Sequence, residues 1–326
     1  MAYTNMLENQ ITYTPKVLPD WFMKTLLRPS FINKDYIRVE GNVTKDAVLR
    51  KLVMNGNTVS TVDNRDCAWE PAERFTATNE TKTLKNWKVN LEQCLDELDS
   101  IYSENVLEQF RSYQAGANKT EMPNDLEDGI RFYLQNALAS DIERIIIGGQ
   151  SNAVDGVHSG LLDQLVASST AIKVANTVQI NASNVLTEIQ RVYDAIPNVV
   201  LNEGLAEPEK APVRIFVDIN TYRYAKQALS TPYNDNVVVL PSWTYDNGVI
   251  RYMGVEIALV PYMPANTMFA ASRDNMIFFT DLLSDTTTLR METGKELSNE
   301  NILYVKGKYR ALASFVYEDE VVLYTL

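Results

Sequence analysis

Histidine occurs once and cysteine twice in this chain of 326 residues, and those two shortages close off most site chemistry. A Ser-His-Asp or Cys-His apparatus would have to use His158. That residue sits in "GGQSNAVDGVHSGLLDQ", a glycine-rich turn region where a lone histidine reads as a surface or turn residue. Zinc sites built on histidine or paired cysteines lack their ligands. Cys67 and Cys94 read as two reduced thiols. Phosphate loops are missing too. "GANKT" (116–120) lacks the glycine before its lysine, and "TGKEL" (293–297) has Glu296 where Ser or Thr would bind magnesium. "GGQ" (148–150) follows a helix pattern, the reverse of a dinucleotide loop. The acids of "DIERI" and "YEDEV" read as solvated carboxylates, not as an acid-base pair. No catalytic, cofactor-binding or metal-binding residue emerges, and the expectation is a protein without cofactor or enzymatic activity.

Other absences bear on location and partners. The first residues show no basic cluster leading into an apolar run, so no signal peptide is expected. The longest apolar runs, such as "VVVLP" and "RIIIGG", are far too short to span a bilayer. A soluble, intracellular product without a membrane partner is the expectation, and the sequons at Asn42, Asn79, Asn118 and Asn181 then carry little meaning. Bases are outnumbered 30 to 42 by acids, for a net charge of −12. A protein that grips phosphates concentrates Lys and Arg, so direct nucleic-acid binding is disfavoured. Acidity of this size also serves simply to keep a protein soluble. Internal repeats and low-complexity tracts are absent.

What is present is a folded chain, 45% hydrophobic and 22% charged, with room for one large or two ordinary domains. The first fifty residues read as an extended arm. Pro15, Pro19 and Pro29 interrupt any helix, while Trp21, Phe22, Met23, Leu26, Leu27 and Phe31 find little local structure to bury them. Residues 50–89 give two strand-like runs around a polar, proline-containing middle, with a turn signal at Asn55–Asn57. Such a ribbon is not stable alone in water. Arm and ribbon both need a surface to pack on, from this chain or a neighbour.

The strongest helix pattern covers 124–147. Leu126, Ile130, Tyr133, Leu134, Ala137, Leu138, Ile142, Ile145 and Ile146 recur at three- and four-residue steps, Asn124 or Asp125 offers a cap, and Gly148-Gly149 ends it. At 1.5 Å per residue it runs about 35 Å. A second helix is expected in "NASNVLTEIQRVYDAI", capped by Asn181 or Ser183. Then follow the strand "PVRIFVDI", the helix "NTYRYAKQAL" and the run "NVVVLPSW". The apolar stretch 251–281 breaks at Gly254, at 261–266 and at 273–275 to give three strands. The C-terminal segment gives one long strand and a short final one. This is an α+β pattern in which early and late strands share a sheet.

In that order the elements resemble the major capsid proteins of tailed bacteriophages, with the Hong Kong 97-type fold. The resemblance spans nearly the whole chain and rests on sequence order. It runs from the arm and ribbon through the long helix to the glycine-rich exit at "GLL" (160–162). Beyond a central α/β segment come Met253-Gly254, the strand 255–260, the turn Pro264-Ala265-Asn266, "FFTD" (278–281) and the closing strands of "ILYVKGKYRALASFVYEDEVVLYT". The resemblance implies an N-terminal arm (1–49), an extended loop (50–89) and a peripheral domain (90–150) containing a spine helix (124–147). An axial domain (151–261) and return strands (262–326) complete it. It implies self-assembly into hexamers and pentamers of an icosahedral shell, formed in the host bacterial cytoplasm and located in the virion. The implied partners are a separate scaffolding protein, a portal, a maturation protease and packaged DNA held without sequence-specific binding. A shell that lets DNA slide should not bind phosphates tightly, which suits the acidity.

One departure separates this chain from the self-crosslinking members of that family. They join a ribbon lysine to an asparagine on a neighbour's penultimate strand, assisted by a glutamate seven positions later. The asparagine position matches Asn301, but the assisting position holds Lys308, and a cationic lysine cannot accept the proton. Lys51, Lys82, Lys85 and Lys88 are expected on the ribbon, which supplies half of the chemistry. A shell without isopeptide bonds is the expectation. Two other readings stay open: an encapsulin-type nanocompartment, whose subunits tend to have a shorter arm, and a small-molecule enzyme or binding protein with its site in the central α/β segment.

Overall fold

The structure, a computed structural model, describes residues 28–41, 43, 45–54, 75–94, 126–149, 160–175, 178–206, 213–230, 242–246, 248–281, 290–293 and 302–325. Two sheets carry most of the described core. The larger has seven strands, in the order β5 (Ile172–Ala175), β14 (Val322–Thr325), β10 (Met268–Ser272), β6 (Val213–Val217), β9 (Val255–Leu259), β8 (Val249–Tyr252) and β7 (Trp243–Asp246). Neighbours β14–β5 and β6–β9 are parallel and the other pairs antiparallel. Alternation along these strands supplies two apolar faces. On one, Val213, Ile215, Val217, Ile257 and Met268 form a core with Val185, Ile189 and Val192 of a helix. On the other, Phe216, Ala258, Phe269 and Leu323 belong to a second core.

That second core is shared with a five-stranded sheet. In it β1 (Arg38–Glu40), β11 (Met276–Thr280), β13 (Ile302–Phe315) and β12 (Arg290–Thr293) follow in order, and β4 (Lys85–Cys94) lies along the other edge of β13. Early and late strands do share this sheet: β1 pairs parallel with β11, and β4 antiparallel with β13 over ten residues. The stretch 251–281 breaks where expected. Its first residues finish β8, and β9, β10 and β11 follow. The break at Gly254 is a two-residue hairpin with both Met253 (φ 49°) and Gly254 (φ 88°) left-handed, which matches the twist of the flanking strands.

Helix α1 (Ser30–Asn33) is a single turn; α2 (Leu126–Ile147) is the long helix. Then come α3 (Leu161–Ala167), α4 (Val185–Asp194), α5 (Asn198–Ala206) and α6 (Ile219–Ser230). Helix α2 packs Leu138, Ile142, Ile145 and Ile146 into the core that holds Trp87, Val89, Tyr309 and Ala311. Its sides differ from the expected stripe: Ala137 is exposed, while Gln135 and Glu143 are buried. Burial of Glu143 follows from a second neighbour that the helix pattern does not reveal, the segment around Ser30, whose hydroxyl donates to Glu143. The expected caps at 124 and 125 lie outside the described residues. The glycine end is as expected, with φ of 70° at Gly148 and 91° at Gly149.

Two sequence expectations need correction, and a third is met within this chain. The surface that Phe31 needs comes from the rest of its own chain. Phe31 is fully buried, its ring 5.1 Å from that of Phe216, and Ile32, Tyr36 and Ile37 are buried with it. The receiving strands lie far along the sequence, so no local pattern could show them. The helix "NASNVLTEIQRVYDAI" starts at Val185 with Asn184 at its cap position, not Asn181 or Ser183. Asn181 instead accepts through Oδ1 from the Ser183 N–H (2.9 Å), closing the turn that precedes the helix. The ribbon is also differently bounded. Its strands are β2 (Asp46–Met54) and β3 (Phe75–Thr83), and the chain leaves it at the buried Leu84, whose N–H donates to the Lys45 carbonyl (2.9 Å). Lys85 and Lys88 therefore lie on β4, in the sheet and off the ribbon.

Candidate functional site

Few of the residues weighed for catalysis come together. His158, Cys67, Asn118 and Asn301 lie outside the described residues, as do 116–120 and 294–297. Cys94 ends β4. Among the described residues no group of three or more His, Cys, Asp or Glu is placed to hold a metal ion. No described helix is long and apolar enough to cross a membrane. The buried polar groups are instead committed to structure. Asp218 accepts through Oδ2 from the N–H groups of Asn220 (3.0 Å) and Thr221 (3.4 Å), fixing the start of α6. Glu188 accepts from Tyr324 Oη (2.7 Å) and Arg191 Nη1 (2.6 Å). Arg214 pairs with Glu256 (3.0 Å) beneath the Tyr36 ring, and Tyr36 donates to the same carboxylate (3.3 Å). Burial and then the Glu256 charge push the Tyr36 hydroxyl up to about 12, so it stays a donor.

The carboxylates of "DIERI" divide. Asp141 is half-exposed beside Arg144 (3.6 Å). Burial pushes Glu143 above the usual carboxylate range, although the Ser30 hydroxyl and the N–H groups of Ser30 and Phe31 oppose that shift. Glu143 thus caps α1 from a neighbouring helix, because Pro29 at the cap position offers no side-chain acceptor.

A different feature is the ribbon, whose two faces differ. Its inner face is anchored. Ala47 and Leu49 are buried in a cluster with Leu84, Ile277, Phe279 and Leu312. Above them Glu80 lies between Lys51 Nζ (2.7 Å) and Lys82 Nζ (2.6 Å), which hold its carboxyl below the usual range, Lys51 first. Lys82 also reaches Glu318 (3.8 Å), which accepts from Ser168 Oγ (2.6 Å). On the outer face, Val48 is 53% and Leu52 59% exposed. A two-stranded ribbon so loaded is marginal by itself.

The long strand β13 passes beside the ribbon root. Lys308 lies exposed on it, opposite Lys88 in register. Neither sequence pattern nor composition could have revealed that pairing, since the two residues belong to segments far apart. A second device holds the α2–α3 junction. Asp163 Oδ2 accepts from the N–H groups of both Gly149 (3.0 Å) and Gly160 (3.0 Å), and the Gly148 and Gly160 backbones are so close that a Cβ on Gly160 would sit 2.2 Å from the Gly148 nitrogen. The glycines of the expected exit are there for that approach.

No family model matches the sequence, and no curated protein does. The fold does match. A chain of the satellite phage P4 procapsid, in a structure that includes the size determination (Sid) protein, aligns over 94% of this chain and 99% of its own at 12% identity, with a TM-score of 0.56. The capsid of an empty GTA particle aligns over 91% and 89% at 14% identity (TM-score 0.54). Microbacterium phage Oxtober96 aligns over 89% of each chain at 11% identity (TM-score 0.50). The chain thus has a mixed helix-and-sheet fold of the kind found in phage capsid proteins.

Proposed function

We propose that this protein is the structural subunit of an icosahedral shell, the head of a tailed bacteriophage enclosing double-stranded DNA. The observation that carries the reading is a fold shared over about nine-tenths of both chains with capsid structures, joined to a ribbon whose outer apolar face is left exposed. In this reading α2 is the spine helix of a peripheral domain that also holds the five-stranded sheet. The seven-stranded sheet with α4, α5 and α6 is the axial domain. The ribbon reaches over a neighbouring subunit, where Val48 and Leu52 are covered. The shell encloses DNA without a sequence-specific grip, and scaffolding protein, portal and protease are separate partners.

Electron microscopy and mass photometry of the purified full chain test this directly. Closed particles, or rings of five and six subunits, are expected. A chain that stays monomeric at all concentrations and salt conditions, or particles filled with an enzyme in place of DNA after expression in infected cells, would overturn it.

A further inference from the structure

We infer that the Lys82–Glu318 ion pair sets the pose of the ribbon and thereby aims its exposed apolar face; what that face meets rests on the shell reading. The register divides the ribbon's inner face between two chemistries. Ala47 stands opposite Lys82, Leu49 opposite Glu80 and Lys51 opposite Thr78, and directly opposed residues share a face. On the β2 side Ala47 and Leu49 sink into the cluster with Ile277, Phe279 and Leu312 of β11 and β13. The β3 side is ionic. Glu80 is clamped by Lys51 and Lys82, and Lys82 reaches on to Glu318 (3.8 Å). Each strand of the ribbon thus stands on its own footing.

Glu318 is a fixed post for the ionic side. It opens the turn Glu318–Glu320, which connects β13 of one sheet to β14 of the other. Just before it, Asn275 donates to the Tyr317 carbonyl (2.7 Å) and accepts from the Tyr317 N–H (2.7 Å). From the end of α3, the Ser168 hydroxyl donates to the Glu318 carboxylate (2.6 Å) and accepts from the Ala171 N–H (3.2 Å). Backbone and carboxylate are therefore both held at the junction of the two sheets. The Lys82 and Glu318 side chains are only 22% and 21% exposed, and a pair so withdrawn is screened less by salt than one on the open surface.

Apolar burial is non-directional, so the Ala47 and Leu49 contact tolerates small rotations of the ribbon. An ion pair favours one approach of its two charges. Leverage makes small rotations matter. Leu52 pairs with Ala77, five residues from Lys82 along β3. That is about 17 Å at roughly 3.4 Å per residue, so a swing of about 10° at the root moves Leu52 by roughly 3 Å. Apolar contact is lost when heavy atoms part beyond about 4.5 Å, and a shift of that size separates Leu52 from a surface that covers it. A single pair biases such an equilibrium roughly two- to fivefold. Apparent affinity falls with the fraction of subunits in the competent pose, and every subunit of a shell repeats the contact.

Pulsed electron–electron resonance on the full-length chain tests the strut. Spin labels at Asn79→Cys on the ribbon and Val166→Cys on α3, both exposed positions, with Cys67→Ser and Cys94→Ser, should give one distance in dilute, unassembled subunits. Glu318→Gln keeps an acceptor for Ser168 and removes the charge, and Lys82→Gln removes the other charge. Each should raise the population at other distances about two- to fivefold, and the double variant should go no further than either alone. Lys82→Arg should keep the single distance. Without labels, the two glutamine variants should raise the protein concentration needed for assembly by at least a similar factor. Should Lys82→Gln fold poorly, Lys82→Met is the second variant. Unchanged distances in folded variants overturn the strut. So does a response to Glu318→Gln alone, which would assign that charge to the Ser168 contact only. Changed distances with an unchanged assembly threshold overturn the aiming. A wild-type chain that never assembles overturns the shell reading while the distances still decide the strut, so the two failures are distinguishable.

Discussion

Glu143 shows how a single carboxylate can join two segments that the sequence keeps far apart. It lies on α2, is buried, and accepts from the Ser30 hydroxyl. Burial raises its folded-state pKa above the ordinary value of 4.5. A carboxyl with a raised folded pKa holds its proton more tightly folded than unfolded. Its contribution is therefore complete below the ordinary value and is lost as pH rises from there through the folded value. Glu143→Gln keeps an acceptor for Ser30 and removes the ionisation. Urea midpoints measured from about pH 4 to 7 should decline in the wild type and less so in the variant, so that the variant gains relative stability toward neutral pH; parallel curves would disprove this. In the sequence Glu143 read as one of several solvated acids, because helical periodicity reports one packing face and Glu143 meets a different one.

At the scale of elements, the ribbon and the glycine junction make opposite demands on the subunit. Ala47 and Leu49 anchor the ribbon, so charge placed on the other face should leave the fold intact. Val48→Asp with Leu52→Asp is expected to change subunit stability by no more than about 0.5 kcal/mol, while particle yield in sedimentation falls at least tenfold. A variant that assembles normally would show that nothing covers this face. Gly160 is the reverse case. A Cβ there meets the Gly148 backbone at 2.2 Å, so Gly160→Ala must separate two chain segments held by Asp163. A cost of about 1–3 kcal/mol is expected from overpacking, read as a lower thermal midpoint of the subunit before any assembly. An unchanged midpoint would mean that the approach is easily relieved. The existence and order of these elements were legible in periodicity and turn residues. The ribbon's limits were not, because Lys85–Cys94 alternates much as Phe75–Thr83 does, and only tertiary pairing assigns one run to the sheet and the other to the ribbon.

For the whole molecule, the expected shell has to cohere without covalent joints. Lys85 and Lys88 are on β4, away from the ribbon, and the resemblance to self-crosslinking capsid proteins puts Lys308, not an acid, at the assisting position. Purified particles boiled in denaturing detergent should run as one band near 36.9 kDa; a ladder that survives boiling and reductant would show that another residue completes the ligation. Cohesion then comes from buried apolar area and from exposed ion pairs, each worth only about 0–1 kcal/mol, multiplied over many copies. The mixed helix-and-sheet fold could be anticipated because a fold of this kind survives at identities of 11–14%. The contact surfaces could not, because they depend on which distant segments end up side by side.

The placement of β1 also bears on how the protein comes off the ribosome. The segment around Phe31 and β1 is made long before some of its partners: Asp35 and Arg273 are 238 positions apart, and β1 pairs with β11. At a synthesis rate of about 5–20 residues per second, roughly 10–50 s separate the emergence of the two. For that interval β1 has no strand to pair with, so the core around Phe31 stays incomplete even after Glu143 and Phe216 have been made. A nascent chain therefore carries an unpaired β1 through that interval, open to chaperones, proteases and other nascent copies.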